Sequence, residues 1–274
     1  MRGKAVVVGS GSWATRVGYV LAERYNLDVR QFSARDFIVG KSEISSFKRI
    51  SLGVSATSPE LQETVAPLLA LFTKHLWLEK PISKSLQSGT KLLTDLSAEG
   101  TSYSLVNFSW LFSSIWNKFE SLRLKLSDVS MIQISQSAKE SKHAYMSSIE
   151  DYGSHDIALI NRWIVRDGNS TNVPVINKCD QHEFDADYEG VDICWKIHFE
   201  SDIRKMNWVI TWKDDNETQI DFYGGRLIHN NLEIEVPKQD NINSFISTLF
   251  ARDEFTEREN HKIALMTKEF FSKI

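Results

Sequence analysis

Two spacings of hydrophobic residues alternate along this chain. Residues 4–8 form a short β-branched run closed by glycine, which predicts a buried strand. Val17, Val20 and Leu21 then recur at helical spacing up to Tyr25. Further strands are predicted at 28–32, 50–54 and 75–78. Between the last two, Leu61, Val65, Leu68, Leu69 and Phe72 mark a helix with Pro59 near its first turn. A full crossover helix barely fits between Phe37 and Phe47. Beyond the polar stretch 97–104 the pattern changes. A helix falls within 108–126, and apolar and polar residues alternate strictly over 129–135, 192–199 and 206–212. Residues 218–222 pair with 226–235 through a turn at Gly224 and Gly225. Between these strands, Ile157, Ile160 and Ile164 line one face of a helix, with Leu159 and Trp163 beside them.

Strand–helix alternation followed by a strand-rich half defines the expected fold class: α/β, an N-terminal Rossmann dinucleotide-binding domain plus a C-terminal α+β domain with an open, mainly antiparallel sheet. The expected boundaries are residues 1–104 for the first domain and 105–242 for the second. One amphipathic closing helix, 243–274, is expected to pack back on the first domain. Trp195, Trp208 and Trp212 fall on alternating strands and are expected on the open face of the second sheet. Such an apolar patch predicts a homo-oligomer through that sheet.

Composition narrows the function classes. Hydrophobic residues make up 42% and charged residues 25% of 274, ordinary for a globular protein. The net charge of −4 leaves no basic footprint for nucleic acid, and no apolar run is long enough to span a bilayer. The expected partner is therefore a small-molecule substrate, with neither nucleic acid nor membrane. Cys179 and Cys194 have neither disulfide-framework nor metal spacing, which fits free thiols in a reducing cytoplasm. His143, His182, His198, His229 and His261 show no metal spacing either, so no metal is expected. The glycosylation triplets at Asn107 and Asn169 carry no weight without a secretory signal.

Gly9, Ser10, Gly11, Ser12, Trp13 and Ala14 stand between the first strand and its helix. This is the dinucleotide fingerprint with alanine at its third position: Gly9 for the turn, Gly11 for close approach of a pyrophosphate, Ala14 for helix–strand packing. The second strand ends without an acid. Ser33 stands there, with Arg35 two residues on, a pairing suited to a 2′-phosphate, so NADP is favoured over NAD; Asp36 is the competing ribose ligand. Thr57 and Pro59, on the loop after the third strand, and Glu79 and Lys80, after the fourth, complete the expected cofactor contacts.

Glu79, Lys80 and Pro81 follow the fourth predicted strand, at the ligand edge of an open α/β sheet. Asp151 and His155 are four apart, so on a helix they share a face, a plausible proton-handling pair. In order and spacing these motifs resemble the Gfo/Idh/MocA oxidoreductases, and the resemblance extends over essentially the whole chain. It implies that Lys80 sits by the nicotinamide and the substrate, and that Asp151 and His155 stand on the substrate side, with the histidine as acid/base. Lys80 and His155 would then flank a reacting sugar-like alcohol or ketone, with nucleotide-linked sugars among the candidate substrates. Departures from the family pattern concern the pocket: Gln62 replaces a common histidine, Ala158 an acidic residue, and the segment 105–110 lacks an arginine. Two alternatives remain open. One is an imine or cyclic-intermediate reductase on the same scaffold; the other is a non-catalytic dinucleotide-binding regulatory protein.

Overall fold

The structure, a computed structural model, describes residues 3–40, 50–99, 102–139, 146–168, 172–180, 182–199, 203–238 and 240–274. The crossover up to Phe47, His143 and the triplet from Asn169 lie outside the described residues. The chain divides into two compact units, Met1–Asn107 with Ile246–Lys268 and Phe108–Phe245 with Glu269–Ile274.

The first unit is built on β1 (Lys4–Val8), β2 (Asp28–Phe32), β3 (Ile50–Ser55), β4 (Thr73–Leu78) and β5 (Tyr103–Val106), in the order β2-β1-β3-β4-β5. All these pairings are parallel, so every strand ends at the same edge. Helices α1 (Ser12–Tyr25), α2 (Ala34–Val39), α3 (Pro59–Ala70) and α4 (Leu86–Glu99) make the connections. The middle strands carry the core: Val7, Val8, Leu52, Val54, Leu76, Trp77 and Leu78 have no exposed surface, as burial on both faces of a parallel sheet requires.

Strand β5 is an edge strand, yet its outer backbone groups are bonded. Asn260 Oδ1 accepts from Val106 N at 2.7 Å and its Nδ2 donates to Val106 O at 3.1 Å. Glu257 Oε1 accepts from Ser104 N at 2.6 Å, and His261 Nε2 lies 3.1 Å from Ser104 O. These three side chains lie on α8 (Glu254–Phe271), which follows α7 (Asn241–Ala251). The expected single closing helix is thus two. The break falls at Arg252, whose φ of 56° is left-handed and ends a helix as a C-terminal cap does. Helical periodicity continues across such a residue, so the pattern alone does not reveal it.

The second unit contains β6 (Val129–Ser137), β7 (Val175–Cys179), β8 (Glu183–Tyr188), β9 (Val191–His198), β10 (Lys205–Trp212), β11 (Glu217–Asp221), β12 (Arg226–His229) and β13 (Leu232–Ile234), in the order β13-β12-β11-β10-β6-β9-β8-β7. Only β6 and β9 run parallel; α6 (Ser148–Arg166) lies in the long connection between them, and α5 (Ser114–Ser121) precedes β6. Strands β7 and β8 were not expected from the hydrophobic pattern. The expected run 226–235 is a hairpin, turned at Asn230 and Asn231, whose φ values of 51° and 63° suit a primed turn.

The tryptophans overturn one expectation. Trp195, Trp208 and Trp212 are only 1%, 0% and 5% exposed, and Trp195 and Trp208 bond to a residue of α6. They line the helix-covered face. The opposite face is mixed, with Gln133, Ser135, Asp192, Lys196, Asn207 and Thr211 set among Met131, Cys194 and Val209. Period-two alternation separates two faces without saying which one receives the helix. These tryptophans therefore do not supply the apolar patch invoked for a homo-oligomer.

Candidate active site

The parallel strands of the first unit bring most of the expected site residues to one edge. Gly9 follows β1, Ser33 follows β2, Thr57 follows β3, and Glu79 and Lys80 follow β4. Gly9 N donates to Phe32 O at 2.8 Å and Ala56 N to Val8 O at 2.8 Å, which knits the three loops together. Gly9 has φ +153°, and a Cβ there would stand 2.3 Å from Ala56 O, so no other residue fits. Gly11 differs: a Cβ there would meet nothing within 4 Å, so the space before it is open. Gly11 caps α1 without a side-chain bond, and no acidic residue occupies the first turn. Free N–H groups facing open space at the start of a 14-residue helix fit the pyrophosphate of a dinucleotide.

Ser33 and Asp36 are engaged with each other. Ser33 Oγ accepts from Asp36 N and donates to Asp36 Oδ2 at 2.6 Å, capping α2. The Ser33 hydroxyl thus serves its own helix, and Arg35 is the exposed cation of the turn. Thr57 Oγ1 pairs with Ser55 Oγ at 3.2 Å, and Pro59 starts α3.

Glu79 is buried, and one of its oxygens gathers donors from three places. Trp13 Nε1 donates to Oε1 at 2.7 Å, Trp77 Nε1 at 2.7 Å, and Asn107 Nδ2 at 3.0 Å. Burial pushes the Glu79 carboxyl above the usual range, against the three donors and the nearby Lys80 charge. Gln62, fully enclosed, accepts from Glu79 N at 2.9 Å and donates to Glu79 O and Ile82 O at 2.8 and 3.0 Å. Trp13 of the glycine turn and the two flanks of Lys80 are thereby fixed to one another; the Lys80–Pro81 peptide is cis. Arg16 lies over the Trp13 ring at 5.9 Å. None of these buried partners was expected. Gln62 and Asn107 look like surface amides in sequence, and only their distant partners give them a role.

In the second unit, Asp151 and His155 lie on the first two turns of α6, and both are partly exposed. Ser147 caps this helix by accepting from Glu150 N, and Glu150 and Asp151 complement its positive end. The His155 ring stands edge-on to Phe108, centroids 6.3 Å apart. Asp156 points the other way and is completely buried. Its Oδ1 accepts from Trp208 Nε1 at 2.7 Å, and its Oδ2 from Trp195 Nε1 at 2.8 Å and from Gln136 Nε2. Burial outweighs those donors and pushes its carboxyl up to about 7. A carboxylate inside an apolar helical run was the available signal for this site.

Among the described residues no His, Cys, Asp and Glu side chains cluster as metal ligands, and no helix is long and apolar enough to cross a membrane. No protein-family model matches the chain, and no curated protein is significantly similar in sequence. Solved structures do match it in fold. The UDP-N-acetylglucosamine 3-dehydrogenase GnnA from Acidithiobacillus ferrooxidans is 12% identical, with 100% of this chain and 98% of that one covered and a TM-score of 0.72. A biliverdin reductase from Synechocystis sp. PCC 6803, solved with biliverdin and NADP+, is 14% identical, with 98% of each chain covered and a TM-score of 0.69. GenD2 from gentamicin A biosynthesis, solved with NAD, is 12% identical, with 98% and 93% covered and a TM-score of 0.67. At such identities the likeness is one of fold. This chain shares that fold, a Rossmann unit and a unit built on an open, mainly antiparallel sheet.

Proposed function

We propose that the protein is an NAD(P)-dependent oxidoreductase that transfers a hydride between a nicotinamide and an alcohol or ketone of a sugar-like, nucleotide-linked substrate. The observation that carries this reading is the shared edge of the parallel sheet, where the open glycine turn and Lys80 stand at the ends of β1 and β4. A bound dinucleotide would be held by the first-turn N–H groups of α1 and by the Gly9–Gly11 backbone, and it supplies the hydride acceptor or donor. Lys80 is read as the ammonium that polarises the reacting oxygen, and His155 as the imidazole that exchanges its proton, with Asp151 orienting the ring or binding a substrate hydroxyl. These roles follow from the motif resemblance. GnnA acts on a nucleotide-linked sugar, which supports that substrate class. For the cofactor, the reading of NADP rests on Arg35, since the Ser33 hydroxyl is engaged in capping.

Fluorescence titration with NADPH and NADH, followed by turnover of a panel of nucleotide-linked sugars, tests the reading. Lys80→Ala and His155→Ala are each expected to lower turnover by on the order of a hundredfold or more while NADPH binding persists. A chain that binds neither cofactor refutes the proposal.

A further inference from the structure

We propose that Asp156 is the positioning residue of His155: its carboxylate, gripped by three neighbouring strands, sets the roll of the helix that presents the imidazole. This rests on the reading of His155 as the proton-exchanging group. Strands β10, β6 and β9 are consecutive in the sheet, and Trp208 and Trp195 both pair in register with Ile134 of β6, one from each side. Gln136 stands two residues further along β6 on the same face. Three N–H donors therefore converge above β6, and Asp156 of α6 takes all of them.

The donor set requires a carboxylate. An indole nitrogen can only donate. Gln136 Nε2 also donates to Tyr152 O at 3.2 Å, an acceptor-only partner, so the amide orientation is settled by its own bonds. The matching side chain must offer two acceptor oxygens and no donor. Asparagine would turn an NH2 toward an N–H, and glutamate would push the helix outward by a methylene.

The bonds also do what apolar packing cannot. Ile157, Ile160, Trp163 and Ile164 of α6 are all fully buried, and they hold the helix on the sheet. Apolar contact is non-directional and tolerates roll and slide. Three directed bonds from three strands to one residue do not. Successive helical residues are about 100° apart, so fixing Asp156 also fixes the direction of His155, and of Asp151 one turn before it. No cation faces the carboxylate among the described residues. Its neighbours are Gln136 from β6, Trp195 from β9, Trp208 from β10, and Tyr152 and His155 on its own helix. The grip is made by neutral dipoles on a carboxyl that burial holds near neutrality, so protonation places an O–H among N–H groups and loosens it.

NMR of the full chain, labelled with nitrogen-15 in tryptophan and carbon-13 in histidine, tests this across the neutral pH range. The Trp195 and Trp208 indole N–H resonances should move together with one midpoint near neutrality, and the His155 ring should report that same midpoint. In His155→Gln the indole pair should still titrate. In Asp156→Asn the His155 ring should lose the shared midpoint and change severalfold in its rate of reaction with diethyl pyrocarbonate, while NADPH titration stays as in the parent. Indole resonances that titrate without an echo at His155, or an Asp156→Asn ring that resonates and reacts as the parent's does, would overturn the proposal and leave Asp156 a fold-holding group. If Asp156→Asn fails to fold, the titration of the unaltered chain decides. Failure to bind NADPH strikes the oxidoreductase reading and does not touch the coupling between the indoles and His155.

Discussion

Replacing Glu79 with alanine removes one oxygen on which Trp13, Trp77 and Asn107 all depend. Trp77 and Asn107 are buried, at 0% and 4% exposure, so water cannot replace the lost acceptor; Trp13 is half-buried and can turn toward solvent. Each buried donor left without a partner costs about 1–3 kcal/mol, so Glu79→Ala is expected to lose about 2–6 kcal/mol of stability. The lower end is favoured, because the variant also loses the penalty of burying a carboxylate. Glu79→Gln keeps a carbonyl oxygen in place and should stay within about 1 kcal/mol of the parent. The pH dependence adds a sign. Burial raises the folded-state pKa of Glu79 above its unfolded value, so the native state holds its proton more tightly and the parent loses stability as pH rises through that window. Glutamine lacks this term, so Glu79→Gln should gain on the parent as pH rises from acid to neutral. Urea unfolding followed by tryptophan fluorescence and circular dichroism, with midpoints converted by linear extrapolation, measures all three proteins. Glutamine falling as far as alanine would refute the acceptor accounting and make the charge itself the stabilising element.

Asn260→Ala leaves both the N–H and the C=O of Val106 without their partners and should cost about 2–6 kcal/mol; Asn260→Asp, which restores only the acceptor, should fall between it and the parent in the same unfolding assay. His261 is held neutral by burial, its pKa lowered from 6.5 to about 4, so its contribution is complete above the unfolded value and drains away as pH falls toward 4, by roughly 3 kcal/mol. Asp156, raised from 3.8 to about 7, works in the opposite sense with a similar size, roughly 4 kcal/mol. The parent should therefore show a shallow pH slope there, and His261→Gln should become relatively more stable on acidification; an unchanged slope would contradict the assignment. Arg35→Ala should weaken NADPH binding far more than NADH binding in a fluorescence titration. Equal or tighter NADH binding by the parent would shift the ribose contact to Asp36.

The elements that carry the first unit were legible because burial on both faces of a parallel sheet leaves short, wholly apolar runs such as residues 5–8, and because Gly9 and Gly11 sit where only a turn and an open approach suit them. Lys80 and His155 were singled out as members of a motif resemblance. Their supports were not. Glu79 and Asn107 are 28 residues apart, and Asp156 and Trp208 are 52 apart, so nothing local in the sequence marks these pairs. The same limit explains the tryptophans. Alternation placed Trp195, Trp208 and Trp212 together on one face, but which face meets the helix, and the partners of Asp156 there, are read only in three dimensions. Arg252 and the Asn230–Asn231 turn depend on positive φ at non-glycine residues, which composition scarcely signals.

The side chains of α8 that close the edge of β5 also set a schedule for synthesis. Val106 and Asn260 are separated by 154 residues, all of which must leave the ribosome before that edge finds its partner. At typical translation rates of about 5–20 residues per second, the interval is roughly 8–30 s. During that time the nascent sheet presents a bare strand, the kind of surface that recruits another strand or a chaperone. The first unit is therefore begun before the second, yet it cannot be completed until nearly all of the second has been made. A cell that makes this chain faster than it can shield that strand should recover it as aggregate, and co-expression of a segment spanning residues 241–274 in trans should restore soluble protein to a chain halted before α7.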